Sequence, residues 1–230
     1  MTSDFVKHAQ KLGLTFTNID IFAEALTHRS YLNENVSVTG HHNERLEFLG
    51  DAVLELATTS FLFKKFPEKQ EGDLTAYRAA LVNTQSLAES SEALGVNDML
   101  LLSKGEAKDN GRARQIILAN AFEAITGAVY IDQGYDSAER FIATNIYPKI
   151  DAVVENRLWQ DAKSRFQETA QEHRGVTPSY QILHEEGPDH DKCFTIGVFL
   201  GSEQISEGAG KSKQEAEQSA AHAALEKTGW

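Results

Sequence analysis

Four carboxylates recur at helical spacing early in the chain: Glu44, Glu47, Asp51 and Glu55. Wound at about 100° per residue, they fall on one narrow stripe of a helix. Their neighbours Leu46, Phe48, Leu49, Val53, Leu54 and Leu56 are apolar, and a helix apolar nearly all round is expected to be buried. Two unit charges about 4 Å apart repel by roughly 4 kcal/mol at an effective dielectric of 20. Acids clustered out of water therefore need a cation, whereas the same spacing on a solvated face needs none. Residues 116–131 favour the cation: Glu123 is their only charge, and Asn120 lies one turn earlier on the same face. A lone carboxylate in such surroundings is paired or metal-bound when buried. Oxygen donors from two adjacent helices suit a hard cation, Mg²⁺ or Mn²⁺. The second segment is too short for a membrane span, which takes about 20 apolar residues.

Composition sets the frame for that site. The chain has 230 residues, of which 41% are hydrophobic and 24% charged, as in globular proteins of one large or two smaller domains. No apolar stretch near the start has the character of a secretory signal, so a cytoplasmic protein without a membrane partner is expected. The single cysteine, Cys193, excludes an internal disulfide and suits a reducing compartment. It stands in an apolar strand pattern and reads as a small buried filler. Net charge is −12, with 15 basic and 22 acidic residues up to Leu158 and 7 and 12 after it. Neither half is basic overall, so a polyanion would have to be met by a local arrangement of Lys and Arg.

Positioning the acids falls to a helical first part. The spacing of apolar residues predicts helices near 4–12, 19–26, 42–65, 73–94, 114–132 and 136–147, with Pro67 ending the acidic one. After about Asp161 the pattern changes. A helix over 162–174 closes at Gly175, strands are expected at 179–185, 193–200 and 203–208, and a last helix opens at Ser212, giving the order αβββα. Ser212 and Glu215 form a capping box. The free N–H groups of that helix start, flanked by Lys211 and Lys213, suit a phosphate. Gly210-Lys211-Ser212 mimics the end of a nucleotide P-loop, but Ile205 stands where that loop needs its first glycine, which excludes it.

Residues 43–54, Asn-Glu-Arg-Leu-Glu-Phe-Leu-Gly-Asp-Ala-Val-Leu, closely resemble the signature of the ribonuclease III family. Residues 25–31, Gly72-Asp73-Leu74-Thr75 with Arg78-Ala79, and residues 118–124 resemble its other blocks in order, and residues 161–227 look like a double-stranded RNA-binding domain. The resemblance implies a multidomain α and α+β protein. An all-helical nuclease domain over 1–154 would be followed by a linker over 155–160 and an αβββα RNA-binding domain over 161–230. It implies a homodimeric, divalent-metal-dependent endonuclease that cuts both strands of duplex RNA, leaving staggered 5′-phosphate and 3′-hydroxyl ends. Ribosomal precursors and structured messenger RNA would be the substrates.

By the same resemblance, Glu47, Asp51, Asn120 and Glu123 would hold the metal, with Asp51 and Glu123 the catalytic pair. Glu44 and Arg45 would lie at the dimer interface or the edge of the catalytic valley, and Phe48 would lie at the interface as an aromatic plug for the partner. Gln167, Glu168 and His190 would read minor grooves, and Lys211 and Lys213 the phosphates between them, over about 16 bp. His28, His41 and His42 are left structural or interfacial. Two positions depart from the pattern. Asn120 stands where aspartate is frequent, so activity should survive with weaker Mg²⁺ affinity, and Gln214 stands where lysine is common. The alternatives are a binder of duplex RNA that does not cleave, and a di-iron bundle, which would need Glu-x-x-His pairs that neither acidic helix supplies.

Overall fold

The computed structural model describes residues 2–109, 111–157, 159–188 and 192–230. The chain divides into two compact units, Met1–Trp159 and Gln160–Trp230. His190, the expected reader of a minor groove, lies outside the described residues.

The first unit is helical: α1 (Thr2–Lys11), α2 (Ile19–Ala25), α3 (Arg29–Glu34), α4 (Glu44–Lys65), α5 (Glu71–Val82), α6 (Thr84–Ala93), α7 (Arg112–Gln133), α8 (Tyr135–Asn145) and α9 (Ile150–Glu155). Its core is built on α7, whose Leu118, Ala121, Phe122, Ala124, Ile125, Ala128 and Val129 are fully buried. Phe122 stacks on Phe141 of α8 at 5.2 Å, and Ser91 of α6 donates to the Leu118 carbonyl at 2.7 Å. Helix α4 crosses α7 where each carries a glycine. A Cβ on Gly50 would strike the Glu123 carbonyl, and one on Gly127 would strike the carbonyl of Leu46. Only glycine lets the two backbones approach so closely. The start of α4 is tied by Asn43, which is buried and donates its backbone N–H to the Thr27 carbonyl at 2.9 Å.

Three expectations for this unit are corrected. The single helix over 73–94 is two helices, because Asn83 turns extended and its side chain accepts from the Ser86 N–H to cap α6. The short helix α3 was not foreseen: its cap is His28, whose Nδ1 accepts from the Ser30 N–H, and histidine is not among the usual capping residues. Burial lowers the His28 pKa, against the pull of Glu106, which favours the neutral ring that such a cap requires. Nor is α4 buried all round. Phe48, Leu56 and Phe63 are 82%, 57% and 70% exposed, a stripe of large apolar side chains left without cover in the single chain.

The second unit has α10 (Ala162–Arg174), β1 (Ser179–Glu186), β2 (Cys193–Leu200), β3 (Glu203–Gly210) and α11 (Lys213–Thr228). The strands form an antiparallel sheet in the order β1-β2-β3, with Ile182 opposite Ile196 and Val198 opposite Ser206. Phe166 and Ala170 of α10 and Ala220, Ala221, Ala224 and Leu225 of α11 pack with Val198, Leu200 and Ile205 of the sheet. Close approach again rests on glycine, since a Cβ on Gly210 would lie 2.6 Å from the Ala216 nitrogen. β3 runs two residues further than expected, to Gly210. Cys193 is exposed rather than a buried filler. It is the first residue of β2, whose burial begins only at Ile196.

Candidate functional site

The α4–α7 crossing decides where the acids stand. Asp51 follows the glycine that touches the Glu123 carbonyl, so these two carboxylates are carried by the closest point of contact between the helices. Glu47 lies one turn before Asp51. Asp51 is exposed, whereas Glu47 and Glu123 are half-buried, so the cluster opens to water on one side. Of the acids expected to stand out of bulk water, Glu47 and Glu123 are partly withdrawn and Asp51 is not.

Burial is the main reason that the Glu123 carboxyl is pushed up to about 8, followed by the charges of Asp51, Glu47 and Glu55. Burial likewise raises Glu47, with Glu44 and Asp51 adding to it, while a hydrogen bond from the Asn120 side chain works the other way. Asn120 thus sits beside Glu47. Its amide can donate at every pH, which an aspartate could not. Among the described residues no basic side chain pairs with Glu47, Asp51 or Glu123. Glu44 and Glu55 behave differently. Glu44 faces Arg29 at 3.5 Å and His42 at 3.8 Å, and Glu55 meets Arg78 at 2.9 Å. The spacing of the stripe did not separate these paired acids from the unpaired ones.

The donors are carboxylate and amide oxygens, the chemistry of a hard cation. Among the described residues, no three or more His, Cys, Asp and Glu side chains form a set that could hold a metal ion. Mg²⁺ is usually held by one or two carboxylates and completes its shell with water and substrate phosphate.

Phe48 is the most exposed of the large apolar side chains on the acidic helix. Beside it a groove of about 650 Å³ is lined by Ile21, Leu46, Leu49 and Ile131, with His42 and Arg45 at its edge.

In the second unit, Gln167 on α10 and Lys213 at the start of α11 line one groove of about 710 Å³, together with Ser164, Tyr180 and Gln214. Glu168 and Lys211 are exposed but are not among that groove's walls. Ser212 caps α11 by accepting from the Glu215 N–H at 3.1 Å, and the Glu215 carboxylate accepts from the Lys211 N–H at 2.9 Å. Lys163 was missed from sequence. It lines the same groove, held by Glu217 at 2.6 Å and lying over the Tyr180 ring at 4.9 Å. Its place two residues after the capping Asp161 was the available signal.

Residues 18–150 match the ribonuclease-III-like family, and residues 162–228 match the double-stranded RNA binding motif. Ribonuclease 3 of Geobacillus sp. (strain WCH70) is 46% identical over 97% of this chain and 90% of its own length. Ribonuclease 3 of Bacillus cytotoxicus is 46% identical over 95% and 89%. The nuclease domain of ribonuclease III from Campylobacter jejuni, described as flexible in a region involved in dimer formation, superposes with a TM-score of 0.55. It is 40% identical and covers 62% of this chain and 97% of that one. No helix among the described residues is long and apolar enough to cross a membrane. The chain belongs to the ribonuclease III family of endonucleases that act on double-stranded RNA.

Proposed function

We propose that this endoribonuclease hydrolyses the phosphodiester bonds of duplex RNA at a Mg²⁺ centre held by Asp51 and Glu123, with Glu47 and Asn120 beside them. The observation that carries the reading is Glu123: a half-buried carboxylate raised to about 8 by burial and by the charges of Asp51, Glu47 and Glu55, with no basic side chain paired to it among the described residues. Like-charge acids kept together without a counter-ion store repulsion that a divalent cation relieves. When bound, such a cation lowers the pKa of water towards neutrality and offsets charge on the leaving 3′-oxygen, and Mn²⁺ is chemically able to substitute. Asp51, exposed at the mouth of the cluster, faces the side from which a phosphate must come. Glu123 must shed its proton before it can act as a ligand. The Asn120 amide steadies Glu47 without adding a fourth negative charge, which supports retained activity with a weaker hold on Mg²⁺.

The uncovered stripe of Phe48, Leu56 and Phe63 supports a homodimer, with Phe48 entering the groove beside the partner's own Phe48 and Glu44 at the rim. We assign the nuclease domain to residues 1–154, the linker to 155–160 and the RNA-binding domain to 161–230. Ribosomal RNA precursors and structured messenger RNA in the cytoplasm are the proposed substrates. The test is a digest of perfect duplex RNA by the full chain with and without Mg²⁺, read by end-group analysis. Metal-dependent cutting to 5′-phosphate and 3′-hydroxyl ends is expected, from a species of twice the 25.4 kDa chain mass in sedimentation equilibrium. Intact duplex in excess Mg²⁺ and Mn²⁺ would leave only a binding protein.

Duplex recognition falls to the groove holding Gln167 and Lys213, with Glu168, His190 and Lys211 as further contacts. With about five phosphates engaged, log K against log salt should fall with a slope near −4 to −5. Lys213→Ala should flatten that slope by about one without changing the preference for duplex over single strand. Binding measured by anisotropy at a series of KCl concentrations checks this. A slope unchanged by the substitution would remove Lys213 from the phosphate contacts.

A further inference from the structure

Arg78 reaches from α5 to α4 and engages two side chains one turn apart there. Its Nε lies 2.9 Å from the Glu55 carboxylate, and its Nη1 donates to the Thr59 hydroxyl at 2.9 Å. A planar guanidinium holding two acceptors fixes the position of both, which a point charge on a flexible stem does less well. Glu55 is the fourth acid of the stripe, one turn beyond Asp51. Residues spaced by four on a helix are neighbours about 5–6 Å apart at Cβ. Its nearness to the cluster is also seen in its being one of the three charges that act on Glu123.

We infer that Arg78 is a positioning residue of the centre: by locking Glu55 against Thr59 it keeps a fourth carboxylate from competing with Asp51 and Glu123 for the cation. The inference rests on the metal-centre reading above. A glutamate released beside Asp51 has three side-chain rotors and two more oxygen atoms to offer. An oxygen-donor site with that extra arm binds a divalent ion at least as well, but in more than one arrangement. Hydrolysis then suffers while binding does not, because a misplacement of about 1 Å at the reacting centre costs on the order of 100-fold in rate. Arg78 belongs to the block of residues that carries the family resemblance, yet that likeness assigns it no task. The bond to Glu55 does.

The experiment uses the full chain and two readouts, Mn²⁺ titration calorimetry and cleavage of duplex RNA at saturating Mn²⁺. Arg78→Ala should bind Mn²⁺ at least as tightly as the wild type and turn over about tenfold more slowly. Adding Glu55→Gln to it should restore turnover to within about twofold of the wild type, because the competing ligand is then gone. Arg78→Lys, which keeps the charge but not the fork, should fall between. A merely structural role would give a different pattern, with binding, turnover and melting temperature falling together and no rescue by Glu55→Gln. That pattern overturns the inference, as does an Arg78→Ala protein indistinguishable from the wild type. Glu55→Gln alone covers the case in which Arg78→Ala does not fold. It should leave Mn²⁺ affinity unchanged, and a loss of affinity would make Glu55 a ligand and refute the proposal. Wild-type protein that gives no Mn²⁺ binding would instead bring down the metal-centre reading, and the inference with it.

Discussion

Glu123→Gln yields a folded protein that resists alkaline pH better than the wild type and no longer cuts RNA. Both effects come from the same cause. The folded chain holds the Glu123 carboxyl at about 8 against an ordinary value of 4.5, so the native state binds that proton more tightly than the unfolded chain does. Stability from the bound proton is complete below about pH 4.5 and is lost as the pH rises through 8. In metal-free wild type the loss should be on the order of 2 kcal/mol once solvent screening at this half-buried group is allowed for. For a unit of this size that is roughly 4–8 °C in Tm. The glutamine variant lacks that titration and should show a shallower fall over the same range, since Glu47 is still raised by burial and by Glu44 and Asp51. Added Mn²⁺ should raise the wild-type Tm more at pH 8 than at pH 6, since the ligand must be deprotonated, and should do little for Glu123→Gln. Cleavage should drop by about 10³-fold, the order expected when one group stabilising charge at the reacting centre is removed. Melting curves at pH 5 to 9 and single-turnover rates check the two halves separately. A wild-type Tm that does not fall between pH 5 and 8 would show that the cluster is not repulsive.

How much of this was legible beforehand differs from residue to residue, for physical reasons. Glu123 stood out because it is the only charge in residues 116–131, and periodicity alone put Asp51 and Glu47 on one face. The close crossing that joins the two helices was not legible. It depends on Gly50 and Gly127 meeting each other's backbone, and a single glycine in a helical pattern does not say what approaches it. The break at Asn83 was missed because apolar spacing continues across it, although an asparagine three residues before Ser86 is a capping signal. The exposure of Phe48, Leu56 and Phe63 could not be read from a pattern that treats every apolar residue as core. In such a pattern an exposed apolar side chain looks identical to one that faces its own core. The pairing of Glu55 with Arg78 depends on how α5 lies against α4, which no local rule supplies. By contrast, the cap of α11 was legible from Ser212 and Glu215 alone, since both partners lie within one turn.

The other large effect is expected from the smallest change, Gly50→Ala. The added methyl would occupy the position of the Glu123 carbonyl oxygen and would come within 2.8 Å of the Gly127 nitrogen. These are backbone atoms within α7 and cannot rotate aside, so α4 and α7 must move apart along the line that brings Asp51 and Glu123 together. Overpacking of a core typically costs 1–3 kcal/mol. Here nothing flexible absorbs the clash, and about 3 kcal/mol or more is expected, a fall in Tm on the order of 10 °C. Helix propensity acts in the opposite direction, since alanine is favoured over glycine by about 1 kcal/mol in a helix interior, and is outweighed. Gly72→Ala isolates that opposing contribution. Gly72 lies in the first turn of α5 with nothing within 4 Å of the added methyl, so the same substitution there should stabilise by about 0.5 kcal/mol. The decisive comparison is Mn²⁺ affinity by calorimetry at a temperature where both variants are folded. Gly72→Ala should bind as the wild type does. Gly50→Ala should lose at least tenfold, because separating the helices by even 1 Å removes one carboxylate from reach of an ion held by the other. If Gly50→Ala were to melt and bind Mn²⁺ as the wild type does, the Gly50–Gly127 crossing could not be what sets the distance between the two acids.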